Sequence, residues 1–261
     1  MSESPITTPT APAAGLTAST VAVAGHGGDT VEAYLARPEG AARRGGVVVI
    51  HHMPGYDRES KEIVRRFAEL GYDAICVNLY YREAPGASPD DAAAVSRAAG
   101  GVPDDRLVGD VAGAAAYLRA LPTSNGRVGV IGYCSGGRQS VLAACSLDVD
   151  AAVDCYGAFV TGTVPEGMPL KVTPLVDRLP DLRAPLLGLF GADDSYPGPE
   201  QVAELERILT EHGKDFDFHT YEGAGHAFFA VNRPSYNVAA ALDGWERITE
   251  FYGKHLADPG S

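Results

Sequence analysis

The chain is poor in cysteine, has no basic excess and contains no long apolar run, and each shortage removes a class of function. Four cysteines in 261 residues, Cys76, Cys134, Cys145 and Cys155, are too few for a disulfide-stapled secreted scaffold. The 21 Lys and Arg stand against 34 Asp and Glu, a net charge of −13. A surface that acidic repels a phosphate backbone, and no Lys/Arg cluster offers a local exception, so no nucleic-acid partner is expected. Mean hydropathy is −0.06, and the apolar runs are strand-sized, as in Val47–Ile50. None approaches the roughly 18 residues that cross a bilayer, so no membrane partner is expected. The N-terminus lacks the basic and apolar regions of a signal peptide. Residues 1–19, rich in Thr, Pro and Ala, are expected to form a flexible tail, and the protein to be cytoplasmic. With neither repeat nor linker, residues 20–261 are expected to be a single domain.

What is present is an alternation. Thr20–Ala24 and Thr30–Ala36 suggest a hairpin around Gly25-His26-Gly27-Gly28. Gly46–His51 and Asp73–Asn78 are short apolar runs suited to strands buried on both faces. Between them, Ile63, Phe67 and Leu70 recur at helical spacing in Ser60–Leu70, and Gly71 stops the helix. The segment Tyr80–Gly101 is expected to be irregular or partly helical, and Asp104–Leu121 helical. Strands are expected at Gly126–Gly132, Ala151–Tyr156, Leu186–Phe190 and Asp215–Tyr221, with helices at Gly136–Ala144, Glu200–Glu211 and Tyr236–His255. Strands alternating with helices imply parallel βαβ units, right-handed crossovers and helices on both faces of one sheet.

The chemistry-bearing motif is Gly132-Tyr133-Cys134-Ser135-Gly136, a G-x-C-x-G placed between a predicted strand and helix. This is the form of a nucleophile elbow with cysteine in place of serine. The turn is tight, so small residues are needed where segments pass closely, two positions before and two after. The following helix aims its N-terminal N–H groups and positive dipole end at the sulfur, which favours thiolate. The Ser135 N–H is then one oxyanion donor. An elbow also predicts that an acid and a histidine follow in that order, each at the end of a later strand. Gly191-Ala192-Asp193-Asp194 and Gly223-Ala224-Gly225-His226 stand in those places. The residues themselves do not choose between Asp193 and Asp194. The remaining cysteines, in apolar surroundings, are expected to be buried and inert. His51 and His52, adjacent on a strand, point to opposite faces and make a poor chelating pair, so no metal is expected.

Together with Val47–Gly55, Asn78-Leu79-Tyr80-Tyr81-Arg82, Gly225-His226-Ala227-Phe228-Phe229 and Arg233–Asn237, these motifs resemble the dienelactone hydrolase family over roughly Thr20–Tyr252. That resemblance implies an α/β-hydrolase fold, with a mostly parallel sheet of about seven or eight strands flanked by helices on both faces. It also implies a Cys134-Asp194-His226 triad, the Met53 N–H as second oxyanion donor, and Arg82 gripping a substrate carboxylate. The implied activity is cofactor-free hydrolysis of a small ester or lactone through an acyl-enzyme. Two positions depart from the best-known members. His52 stands where they carry a glutamate that helps ionise the cysteine, and a second carboxylate-binding arginine would fall at Ala230, with Arg233 close but shifted. The missing glutamate motivates an alternative, a sensing protein whose Cys134 reacts with an electrophile or oxidant without turnover.

Overall fold

Eight strand-sized runs pair into a single sheet in the structure, a computed structural model that describes residues 15–258. In chain order the strands are β1 (Leu16–Ala24), β2 (Thr30–Pro38), β3 (Arg44–Ile50), β4 (Asp73–Val77), β5 (Ser124–Tyr133), β6 (Ala151–Cys155), β7 (Leu186–Gly191) and β8 (Phe216–Tyr221). Their order across the sheet is β1-β2-β4-β3-β5-β6-β7-β8. The first hairpin is antiparallel and β2 meets β4 antiparallel; every other pairing is parallel. The architecture is the α/β-hydrolase arrangement that alternation and elbow imply.

The helices are α1 (Arg58–Glu69), α2 (Pro89–Ala99), α3 (Asp104–Arg119), α4 (Ser135–Ser146), α5 (Pro199–Glu211) and α6 (Val238–His255). Period-two alternation on β3 shows how they cover the sheet. Val47 and Val49 pack with Val64 and Phe67 of α1 and Trp245 and Ile248 of α6. Val48 and Ile50 pack with Leu107 of α3, Val141 of α4 and Leu205 of α5 on the other face. No described helix is long and apolar enough to cross a membrane.

Several boundaries differ from the sequence expectation for identifiable reasons. β1 begins at Leu16 and pairs residue for residue with β2, so Leu16–Ser19 of the expected tail are strand; residues 1–14 lie outside the described residues. Asp57 caps α1 by accepting from Ser60 N–H at 2.9 Å, which starts the helix at Arg58. The segment after Tyr80, expected to be irregular or partly helical, contains α2, built by standard signals: Ser88 caps it, Pro89 opens it, and Gly100 ends it at φ 101°.

One buried group makes the central sheet sensitive to pH. Asp154, on β6, is fully enclosed; Oδ1 accepts the Gly157 N–H at 2.7 Å, while Oδ2 has no hydrogen-bond partner among the described residues. Burial pushes its carboxyl from the usual range up to about 7. Between about pH 4 and pH 7 the folded state therefore holds a proton that the unfolded chain releases, and stability falls as pH rises through that window. Asp154→Asn keeps shape and acceptor but cannot ionise. The melting temperature of the wild type should drop relative to D154N from pH 5 to pH 7, then run parallel above pH 8. A gap that is constant from pH 5 to pH 8 contradicts this account.

Candidate active site

Cys134 sits between β5 and α4 with φ 57° and ψ −122°, a backbone conformation that side-chain-bearing residues rarely adopt. Neighbouring chain segments force the turn to be built from glycine. A Cβ on Gly132 would lie 1.8 Å from the Gly136 carbonyl oxygen, and one on Gly136 would lie 2.3 Å from that of Ile50. Backbone bonds tie the turn on both sides: Cys134 N–H donates to Cys155 O at 3.0 Å, and Gly137 N–H to Cys134 O at 2.9 Å. No side chain caps α4, so the first N–H groups of the helix, which have no intrahelical acceptor, are left facing the sulfur side of the turn.

The acid and the histidine reach the same place from the ends of β7 and β8. These two loops are packed together: Asp193 N–H donates to Ala224 O at 3.0 Å, and a Cβ on Gly191 would lie 2.3 Å from that same oxygen. Asp194 is buried, its Oδ1 accepting the Tyr196 N–H at 2.8 Å. Its Oδ2 lies 2.8 Å from His226 Nδ1. The geometry thus selects Asp194 over Asp193 as the histidine's partner. Burial alone would lower the imidazole's affinity for a proton; hydrogen bonds to Asp194 and to the Cys134 sulfur outweigh it and raise the His226 pKa to about 10. Both contacts favour the protonated form of the His226 ring. The other three cysteines are buried, and burial pushes the Cys145 thiol up to about 12.

The loop after β3 closes the third side. His51 is buried, and burial lowers its pKa to about 4, so the ring is neutral. Its Nδ1 lies 2.8 Å from His52 O and its Nε2 accepts the Leu79 N–H at 3.2 Å, which clamps the ends of β3 and β4 together. Tyr80 donates its hydroxyl hydrogen to Met53 O at 2.9 Å. Met53, Ser135 and Cys134 line one pocket of about 70 Å³, and an outer basin of about 390 Å³ opens past Cys134 to Asp194 and His226. His52 lines a third recess against Cys134, together with Tyr156 and Phe229, and its Nε2 is bonded to Asp57 Oδ2 at 2.8 Å. Burial works to raise the Asp57 carboxyl, but the His52 and Ser60 contacts bring it down to about 2. The sequence analysis missed Glu59, which lines the same recess with a buried Oε2 lacking a partner among the described residues. His52, Asp57 and Glu59 place ligand-type atoms within 4.8 Å of one another, yet Asp57 is already bonded to both His52 and the cap of α1.

Comparison with known proteins gives this geometry a context. The sequence profile of the dienelactone hydrolase family matches residues 31–256. A Salmonella typhimurium protein described as "putative carboxymethylenebutenolidase" is 34% identical over 241 residues, covering 89% of this chain and 86% of that protein. A Bradyrhizobium protein described as "probable 2-oxo-3-(5-oxofuran-2-ylidene)propanoate lactonase" is 28% identical over 235 residues, covering 89% of this chain and 92% of that protein. The crystal structure of a Klebsiella pneumoniae "putative dienelactone hydrolase" superposes with a TM-score of 0.81 at 28% identity, covering 92% of this chain and 99% of that one.

Two residues singled out from the sequence are not brought to the cysteine. Arg233 is exposed on the turn before α6 and lines none of the recesses around Cys134. Arg82 is engaged elsewhere. It grips both oxygens of the enclosed Asp110 on α3, at 2.8 Å each, and Asp29 of the hairpin turn at 2.8 Å. Three of its five N–H donors are committed to these two aspartates. Removing one member of a buried pair leaves an uncompensated charge, so Arg82→Ala should lower stability by about 3–5 kcal/mol in denaturant titration. A loss below about 1 kcal/mol would show that the clasp is not structural.

Proposed function

The chain belongs to the dienelactone hydrolase family, and we propose that it cleaves small lactones and esters through a covalent acyl-enzyme on Cys134. It is a hydrolase of carboxylic ester bonds. The observation that carries the mechanism is His226, bonded through Nδ1 at 2.8 Å to the buried Asp194 and lining one basin with the strained elbow cysteine.

The steps follow from those positions. With its proton on His226, the Cys134 sulfur attacks the carbonyl carbon, forming the C–S bond as the carbonyl electrons move onto oxygen. The N–H groups of Ser135 and Met53 hold that oxyanion. Collapse breaks the C–O bond, and His226 gives its proton to the departing alkoxide. In a lactone that alkoxide stays attached through the acyl group. Now neutral, His226 takes a proton from water; the resulting hydroxide attacks the thioester, and the thiolate leaves to re-form the ion pair. Asp194 fixes Nδ1 so that Nε2 does all the proton traffic.

Turnover of 4-nitrophenyl acetate and of dihydrocoumarin tests the assignment. Cys134→Ala should reduce kcat/KM by at least about a thousandfold, and Asp194→Asn by about a hundredfold or more. Quenched wild-type reactions should carry the acyl mass on Cys134. Wild-type-like cleavage by C134A would reject the nucleophile.

A further inference from the structure

The sheet has two edges, and charge guards one of them. On β8, Asp217 and His219 lie 3.1 Å apart and Arg247 reaches His219 at 2.8 Å; charged side chains of this kind discourage a second strand from docking. The other edge, β1, has no such guard. No ionisable side chain occurs from Leu16 to Ala24, and residues 17–20 and Ala22 are exposed. Nothing among the described residues pairs with its outer side.

The bonds of the hairpin show which main-chain groups point outward. Glu39 N–H donates to Gly15 O at 2.7 Å and Gly25 N–H to Asp29 O at 2.6 Å, at the two ends of an unbroken register. Main-chain direction alternates along a strand, so odd positions face β2, and the N–H and C=O groups of Leu16, Ala18, Thr20, Ala22 and Ala24 face away. Ala24 is already covered by α3, since a Cβ on Gly113 would lie 1.6 Å from Ala24 O. The free row is therefore 16, 18, 20 and 22, which is symmetric about Ser19.

That symmetry identifies the occupant. An antiparallel copy of β1 on a two-fold axis at Ser19 sets Leu16 opposite Ala22 and Ala18 opposite Thr20, and every free donor meets a free acceptor. Residues 17–22 are Thr, Ala, Ser, Thr, Val and Ala, small enough for close cross-strand pairing. Charge points the same way: each copy carries −13, and an edge without ionisable groups lets two such copies meet without like charges in contact. The chain's own residues 1–14 fit the edge less well. They carry Pro5, Pro9 and Pro12, a spacing that interrupts the donor row on either edge of any strand made from them.

We propose that β1 is the interface of a two-fold dimer, pairing antiparallel with β1 of a second copy about an axis at Ser19. The sheet then runs unbroken through both copies, and the proposal stands apart from the chemistry assigned to Cys134.

Sedimentation velocity of the full chain between about 2 and about 200 µM should show the mass rising from one chain toward two. Thr20→Pro removes an outward N–H that β2 does not use, so the single chain keeps its sheet, and this variant should sediment as one chain throughout. A wild type that stays a single chain at about 200 µM, or a T20P that dimerises as the wild type does, overturns the proposal. Cross-linking checks the register, and decides alone should T20P fail to fold. Across the axis the two Ser19 Cα atoms lie about 4.5 Å apart, within disulfide reach, whereas those of Thr17 lie roughly 14 Å apart. Mild oxidation should therefore give covalent dimer from Ser19→Cys and none beyond the wild-type background from Thr17→Cys. Equal yields from the two, or no dimer from S19C, overturns it.

Discussion

A positive φ at a cysteine costs about 1–3 kcal/mol, and the reactive end of the sheet is organised around holding Cys134 there. β5 delivers the turn from the centre of the sheet, flanked by β3 and β6. Glycines at 132, 136 and 137 admit backbone and carboxylate atoms that any side chain would displace. The reward is directional: the sulfur stands clear of the sheet, with the uncapped start of α4 beneath it and the loops of β7 and β8 beside it. Every other functional contact depends on that placement. The proposed role of His226 needs the turn to present the sulfur at that height, and the proposed donor Met53 follows Ile50 and His51, which Gly136 lets pass close.

Electrostatics then divides the ionisable groups by what surrounds them. Burial dominates at His51, lowered to about 4, and at Asp154, raised to about 7, and leaves both neutral over part of the physiological range. His226 is partly buried, but two anionic or polarisable partners reverse the effect of burial. The same contrast separates the arginines. Arg82 and Arg138 neutralise enclosed or partly enclosed aspartates, whereas Arg233 is exposed without such a partner among the described residues.

The parts of the site that were legible from sequence are those fixed by local geometry. The elbow needs small residues at set offsets, and a doubly wound sheet places later strand ends beside it, so Cys134, an aspartate of the Asp193-Asp194 pair and His226 could be named in chain order as candidates. Asp194 over Asp193 needed either a family pattern or the hydrogen bond itself. The arginines were not legible in this way, because a side chain's role depends on its partner. Arg82 follows a strand end near the site, but Asp110, 28 residues on, captures it. Glu59 was hidden by a boundary: with α1 starting at Arg58 rather than Ser60, its first turn reaches the recess beside Cys134.

The central claim is that His226 is held as an imidazolium between Asp194 and the Cys134 sulfur in the resting protein. Nitrogen-15 NMR titration of the His226 ring tests it most directly, because both ring nitrogens report protonation without any substrate. The account predicts that the ring stays doubly protonated through pH 8 in the wild type, and that Cys134→Ala moves its titration down toward the ordinary histidine range near 6.5. A wild-type ring that titrates at or below 6.5, unmoved by that substitution, would contradict it.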